Sequence, residues 1–474
     1  MDALIFFTIF LALSTTVFCW IHSGRGLGRI VVLYIFVFVL TENIDEAYYS
    51  YILEPSDWVA VLIFTAFIGY GLIRKRGYLF RLTWIDYLIL LFLCTTVLLS
   101  FVINFDYSWV GDPYLVKFVY PVKIWLVYRV FFYIFEENRV LARKGLSGLD
   151  QFILRIIIYS ASVSAIISIL RYFPIPHLQD FIERTWPIIT HGRWVSVANW
   201  PRLTATMSST NGAGNFFAFT TLISLCQLRL TNDKRYIFFA VLFLTCVILT
   251  VSFSSFVALA VGIILFYKKQ MNLKHVMVAT LVLICSLSII SLSETFASII
   301  QTRYDRQFIV SGSTWFLPAN LFARLGYWRQ HLEVLFSEDK LFFGFGISGI
   351  RIHLEKNLLY GHGNPESLYF RLISESGLAA VIMFVLMHRV IFKAIRALST
   401  HRPFMTQLHL IKVILIMFLV ANIGNQTMYY GGSLHLFCIM LTLIYFYEVK
   451  LSSFQIRGNA RGGLRLRMQN RKPA

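Results

Sequence analysis

Seven arginines, Arg193, Arg202, Arg303, Arg306, Arg324, Arg329 and Arg351, stand in two polar stretches of a largely apolar chain, and His362 closes the second of them. A guanidinium is a rigid fork of N–H donors that matches phosphate oxygens and stays charged at any working pH. Clustered, such groups suit a phosphate or a pyrophosphate. An imidazole titrates near pH ~6.5 and can take a proton from a sugar hydroxyl around neutrality. Each residue alone also has a plainer account, since loop arginines rest in solvent or on lipid head groups and a histidine in a Gly-rich loop is usually an ordinary polar residue. No DxD or HExxH occurs, and Asp305, Glu333, Glu338 and Asp339 are not spaced as paired metal ligands. The chemistry on offer is handling of an anion with neither metal nor cofactor.

Gly344 to Gly349 read GFGISG, the G-x-G-x-x-G spacing of a dinucleotide-binding turn. That turn requires a strand before it and a helix after it, within a βαβ unit of ~30 residues. No alternation of β and α patterns surrounds this stretch. It reads as a flexible turn after Phe342 and Phe343, where glycine permits positive φ and close backbone approach.

The elements that must position these residues follow from composition. Of 474 residues, 57% are hydrophobic, 14% are charged and 44 are Phe, with a mean hydropathy of +0.68. Soluble domains carry roughly 25% charged residues, so a soluble globular protein is excluded. Repeated apolar runs of about 17 to 25 residues are long enough to cross a hydrocarbon core as helices. The six cysteines, Cys19, Cys94, Cys226, Cys246, Cys285 and Cys438, lie in or beside these runs and read as small hydrophobes rather than a disulfide or metal framework. The first run, Ala3 to Ile21, has no basic n-region and no A-x-A-like cleavage site, and reads as a retained span.

The net charge of +19 is distributed in alternate loops, at Arg25 and Arg29, Arg74 to Arg81, Arg139 to Lys144, Lys234 and Arg235, and Lys268 to Lys274. The positive-inside rule then predicts an outside N-terminus, about 12 to 13 spans and an inside tail. The tail from Lys450 onward has Lys450, Arg457, Arg461, Arg465, Arg467, Arg471 and Lys472 and no acid, which predicts a disordered cytoplasmic segment near anionic lipid rather than a nucleic-acid site. The expected organisation is transmembrane helices over 1–290, interrupted by a shorter outer loop at 174–209. A large outer loop follows at 291–365, then C-terminal spans over 366–447 and the basic tail at 448–474.

Within the large loop, LFARLGYWRQHLEVLF places Leu321, Leu325, Trp328, Leu332 and Leu335 on one helical face, flanked by Arg324 and Arg329. An amphipathic helix at the membrane boundary is expected there. Lys123, Arg129, Arg155, Arg171 and Arg371 fall inside apolar runs, where a charge must snorkel or face a polar cavity. Snorkelling is the expectation for Lys123 and Arg155.

Three segments carry a family resemblance. RLTATMSSTN, Arg202 to Asn211, resembles the arginine-to-asparagine motif of the O-antigen polymerase and O-antigen ligase superfamily. ARLGYWRQHLEVLFSEDKLFFGFGISG resembles its arginine and tryptophan helix followed by a Gly-x-Gly turn, and HGNPESLYFRLISESGLAAVIMF its histidine and glutamate-glycine signature at the start of a later span. The matching segments cover part of residues 202 to 384.

The resemblance implies an all-α, polytopic, GT-C-like inner-membrane glycosyltransferase with a large helical periplasmic loop, which moves a glycan from undecaprenyl pyrophosphate to an acceptor sugar without a metal. Carried over residue by residue, Arg202 and Arg324 hold the pyrophosphate, and His362 orients or deprotonates the acceptor hydroxyl. Arg303, with Asn211, Arg329, Glu366 and Arg371 in support, completes the expected site. One departure stands out: where the family carries a Ser-Arg pair, TVSFSSFVALA has Ser252, Ser254 and Ser255 without an arginine, so that contact must come from elsewhere, such as Arg303 or Arg306. The expected partners are lipid-linked donor and acceptor oligosaccharides, membrane lipid and a chain-length regulator protein. Polymerisation of repeat units is favoured over ligation to lipopolysaccharide core, and both over transport of a lipid-linked sugar, for which no repeated half is found.

Overall fold

The computed structural model describes residues 15–22, 26–41, 55–98, 119–141, 148–170, 209–250, 252–268, 319–346, 367–400, 404–424 and 431–469, with short stretches between 177 and 207, at 309–314 and at 353. These form helices α1 (Leu27–Leu40), α2 (Pro55–Ile73), α3 (Trp84–Leu93), α4 (Val119–Val140), α5 (Leu149–Leu170) and α6 (Thr210–Thr231). After them come α7 (Arg235–Thr250), α8 (Phe253–Tyr267), α9 (Ala319–Ser337), α10 (Leu368–Leu398), α11 (Met405–Ala421) and α12 (Gly431–Gln469). Extended pairing among the described residues is confined to two two-residue ladders, Ser196–Val197 with Trp200–Pro201 and Ile309–Val310 with Ser313–Thr314.

Four segments, Ser56–Ile73, Leu149–Leu170, Leu368–Leu398 and Ser433–Ser452, are long and apolar enough to cross a membrane, and five shorter apolar helices accompany them. The architecture is that of an all-α membrane protein. The expected count of about 12 to 13 spans also draws on apolar runs outside the described residues, within 1–14, 99–118 and 269–300, and α4 and α6 mix polar residues into 22-residue helices. The span in α12 is buried for 78% of its most apolar window and α10 for only 33%, so α12 is the central post. On α10, Leu378, Ile382, Val385, Leu386 and Val390 remain exposed as an apolar outer face, the face a bilayer would cover.

Local chemistry explains where helices begin and end. Thr83 caps α3 by a reciprocal capping box with Asp86, and α6 stops at Asn232, whose φ of 56° is left-handed. At Cys94–Leu98 α3 loosens into a π-helical turn, a feature that marks local strain or function.

Buried charges are paired, as a low-dielectric interior requires. Arg129 is 2% exposed, with Nη1 3.3 Å from Asp86 Oδ2 and with Nη2 donating to Leu79 O and Tyr133 Oη. Lys123 does not snorkel: it is buried against Asp57 at 2.5 Å, because the first turn of α2 presents a carboxylate at the same depth. Arg155 is exposed, as expected. The basic tail also departs from expectation, since α12 runs on as helix to Gln469. Its Arg, Leu, Gln and Met are strong helix formers and no proline interrupts until Pro473.

Candidate functional site

The strand-like entry to α6 is tied down before the helix begins. Leu203 N donates to Leu249 O at 3.2 Å, while Thr206 Oγ1 bonds Val39 O at 2.5 Å and lies 2.8 Å from Ser164 Oγ. Ser209 then caps α6 by accepting from Gly212 N. On the next turn Asn211 and Asn215, four residues apart and so on one helical face, meet the serines at the start of α8. Ser252 Oγ donates to Asn211 Oδ1 and Ser255 Oγ to Asn215 Oδ1, both at 2.9 Å. Gly214 makes this approach possible, because a Cβ there would sit 2.5 Å from Ser255 Oγ and 2.8 Å from Thr250 Oγ1. Asn215 Nδ2 is buried with no hydrogen-bond partner among the described residues.

Arg324 of α9 bonds Gly424, which lies beside this serine turn. Its Nη1 donates to Gly424 O at 2.9 Å, and the place a Gly424 Cβ would take lies 3.0 Å from that nitrogen and 3.9 Å from Ser254 Cβ. Gly424 follows the C-terminus of α11, where carbonyls lack helical partners and the helix end is negative. The N-terminus of α10 abuts the same end, with Leu368 N donating to Asn422 O at 3.1 Å and Ser367 Oγ at 3.4 Å. Neither Ser252 of α8 nor Ser367 of α10 forms a side-chain cap bond. Thus one guanidinium and the N-termini of α8 and α10 meet the end of α11, and the N-terminus of α6 is joined to that of α8 through Asn211 and Asn215. Each adds positive potential, and together they form a setting for an anion.

α9 is held in place by α10. Trp328 stacks on Phe370 with centroids 4.6 Å apart and planes 9° from parallel, and His331 Nδ1 lies 3.0 Å from Ser374 Oγ. Val334, Leu335 and Phe345 form a small apolar core against Ile373. The buried face is therefore turned relative to the expected one: His331 is fully buried and Leu325 is 44% exposed. The cause is the hydroxyl of Ser374, which gives the histidine a partner.

The turn that begins GFGISG has a structural task. α10 is broken at Gly377, whose φ of 72° and ψ of −174° are not helical. A regular helix would bond Leu378 N to Ser374 O and Ala379 N to Glu375 O. Instead Leu378 N and Ala379 N donate to Leu341 O and Phe342 O, and Ser374 O and Glu375 O accept from Phe345 N and Gly346 N. Two helical bonds are exchanged for four to the turn, so the break leaves no backbone group of that set orphaned. Only glycines allow it: a Cβ on Gly377 would fall 2.1 Å from Phe342 O and one on Gly344 2.6 Å from Glu375 C. One turn earlier, Arg371 Nε pairs with Glu375 Oε1 at 2.9 Å in a buried setting. Ser376 Oγ donates to Thr96 O in the π-helical turn of α3.

Of the residues singled out from sequence, Asn211 and Arg324 are brought to the same serine turn, and Arg371 is buried in the adjoining helix. Arg329 is not brought in; it is 81% exposed and pairs with Glu333 at 2.7 Å. Arg202, Arg303, Glu366 and His362 lie outside the described residues, as do Arg193, Arg306 and Arg351. Asn215, Gly424 and the Glu375–Gly377 break escaped sequence reasoning, although NGAGN does show two asparagines at helical spacing. Among the described residues no group of three or more His, Cys, Asp or Glu could hold a metal ion. No known protein-family model matches this chain, and no curated protein matches it.

Proposed function

We propose that this chain is a membrane glycosyltransferase that polymerises undecaprenyl-pyrophosphate-linked oligosaccharide repeat units into O-antigen or a related surface polysaccharide, on the periplasmic face of the inner membrane. The observation that carries the reading is the approach of Arg324 and the N-termini of α8 and α10 to the end of α11, at Gly424 and Asn422. It places the Arg324 guanidinium beside the serine turn of α8, and the contact of the absent Ser-Arg arginine is left to Arg303 or Arg306. In this reading Arg324, with Arg202 and Arg303, binds the donor pyrophosphate and offsets the negative charge that grows as it leaves. His362 takes the proton of the acceptor hydroxyl while that oxygen bonds the anomeric carbon and the carbon–oxygen bond to pyrophosphate breaks. A single displacement inverts the anomeric configuration, and a product of retained configuration would overturn that part.

The test is gel analysis of surface polysaccharide in a deletion strain complemented with wild type, Arg202→Ala, Arg324→Ala or His362→Ala, with membrane levels checked. Core capped by a single repeat in the deletion strain, restored to a ladder by wild type alone, is the expected result. Loss of all capping with lipid-linked polymer accumulating assigns the ligase instead, and full activity in all three variants rejects the site.

One observation favours a second reading, a transporter of lipid-linked sugars: the broken helix α10 with a buried Arg371–Glu375 pair is of the kind that transporters use. Purified protein with a defined lipid-linked repeat decides between them. Only a glycosyltransferase lengthens the glycan.

A further inference from the structure

We propose that a groove at the opposite end of the helices binds an anionic phospholipid, with its phosphate among the cations of the α2–α3 loop and its acyl chains along an apolar rim. The groove is remote from Arg324. α3 begins in it at Trp84, whereas Thr96, three turns further along, is the residue that meets α10 at its break.

Two adjoining hollows form the groove. One of about 720 Å³ lies between the start of α3 and the ends of α4 and α12, and one of about 380 Å³ lies under the α2–α3 loop; Arg81 and Arg139 line both. Lys75 and Arg76 line the smaller and Lys450 the larger, against the acids Glu136 and Glu448. Those acids are already engaged. Glu136 accepts from Tyr445 at 3.0 Å and from Arg139 at 2.5 Å, and Glu448 accepts from Trp84 Nε1 at 2.8 Å. Arg76 is committed to Glu137 at 3.2 Å. Lys75 and Arg81 are exposed, and their side chains make no hydrogen bond or ion pair among the described residues. Two cations are therefore available for a ligand.

The second observation is the rim. At the end of α2 Ile73 is 69% exposed with Leu72 beside it, and on the loop Phe80 is 78% exposed with Leu82 following. Four large apolar side chains flanking lysine and arginine suit a loop that lies at a membrane boundary. Basic pockets between membrane helices are suited to acidic head groups. A free phosphate would use the cations and leave the rim idle, so the occupant that uses both is an amphiphile.

The test is native mass spectrometry of the full-length protein released from mixed micelles of dioleoylphosphatidylglycerol and dioleoylphosphatidylcholine, with glycerol 3-phosphate as the acyl-free probe. Wild type is expected to retain the anionic lipid roughly tenfold over the zwitterionic one. Lys75→Gln/Arg81→Gln is expected to lose roughly that factor, while Arg155→Gln/Lys234→Gln, which removes two exposed cations elsewhere, keeps it. Equal retention of the two lipids by wild type overturns the proposal without recourse to any variant. So does an equal loss in the control pair, or binding of glycerol 3-phosphate as strong as that of the lipid.

Discussion

The two ends of this helix bundle handle charge in opposite ways. At the end formed by the α2–α3 loop, acids and bases are matched: Arg129 with Asp86, Glu137 with Arg76, Tyr70 and Tyr78, and Asp150 with Tyr447. Burial raises the Tyr78 phenol well above its ordinary value, aided by its bond to Glu137, so it stays a neutral donor. At the other end Arg324 bonds the carbonyl of Gly424, and the N-termini of α8 and α10, neither with a side-chain cap, stand at the same end of α11. A matched network stabilises the fold and leaves a ligand at that end only the two exposed cations, Lys75 and Arg81. A guanidinium gathered with helix N-termini favours an anion beside them.

The largest expected effect tests the matched end. Arg129→Ala leaves the Asp86 carboxylate buried without its cation and removes the bonds to Leu79 O, Arg81 O and Tyr133. Breaking a buried pair in this way costs about 3–5 kcal/mol, so the variant should melt far below wild type in detergent or fail to accumulate. Arg324→Ala is expected to do the opposite, with a melting temperature near wild type and transfer activity lower by about 100- to 1,000-fold. Arg324→Lys should recover little, since an ammonium cannot reproduce the planar fork. A collapse of Arg324→Ala in the same melt would mean that both ends are structural, and the contrast would be lost.

Gly377→Ala probes the joint between the two ends. Forcing a side chain into a positive φ costs about 1–3 kcal/mol, and here the new Cβ also meets Phe342 O. The turn at 341–346 should detach, visible as faster amide exchange at Phe345, Gly346, Leu378 and Ala379 and as a lower melting temperature. Unchanged exchange at those four amides would show that the turn does not close the break in solution.

How far the sequence carried is clear from particular residues. Apolar runs gave α2, α5, α10 and α12, because crossing a bilayer is a matter of length and composition that needs no knowledge of partners. α9 was legible as a helix from its leucine spacing. Its buried face was not, since His331 goes inside, where Ser374, 43 residues away, lies within hydrogen-bond distance. Lys123 looked like a snorkelling cation for the same reason, with Asp57 lying 66 residues earlier in the chain. The break at Gly377 follows the polar run Ser374–Glu375–Ser376, which read only as the start of a span, and it becomes intelligible with the turn that fills it. What failed to show in sequence was long-range pairing of polar groups.

The smallest effect belongs to Arg329, and it sharpens the comparison because it involves the same helix as Arg324. The two arginines are five residues apart, which turns them about 140° from one another around α9. Arg324 reaches Gly424, while Arg329 stands in the open with Glu333, whose hydrogen bond holds its guanidinium pKa above the ordinary value. An exposed i,i+4 pair is screened by solvent and contributes little to stability or to the field at the serine turn. Arg329→Ala should therefore leave melting unchanged and polysaccharide length and amount within about twofold of wild type. If it instead matched the loss in Arg324→Ala, position around the helix would not matter, and the substrate would have to embrace α9 from both sides.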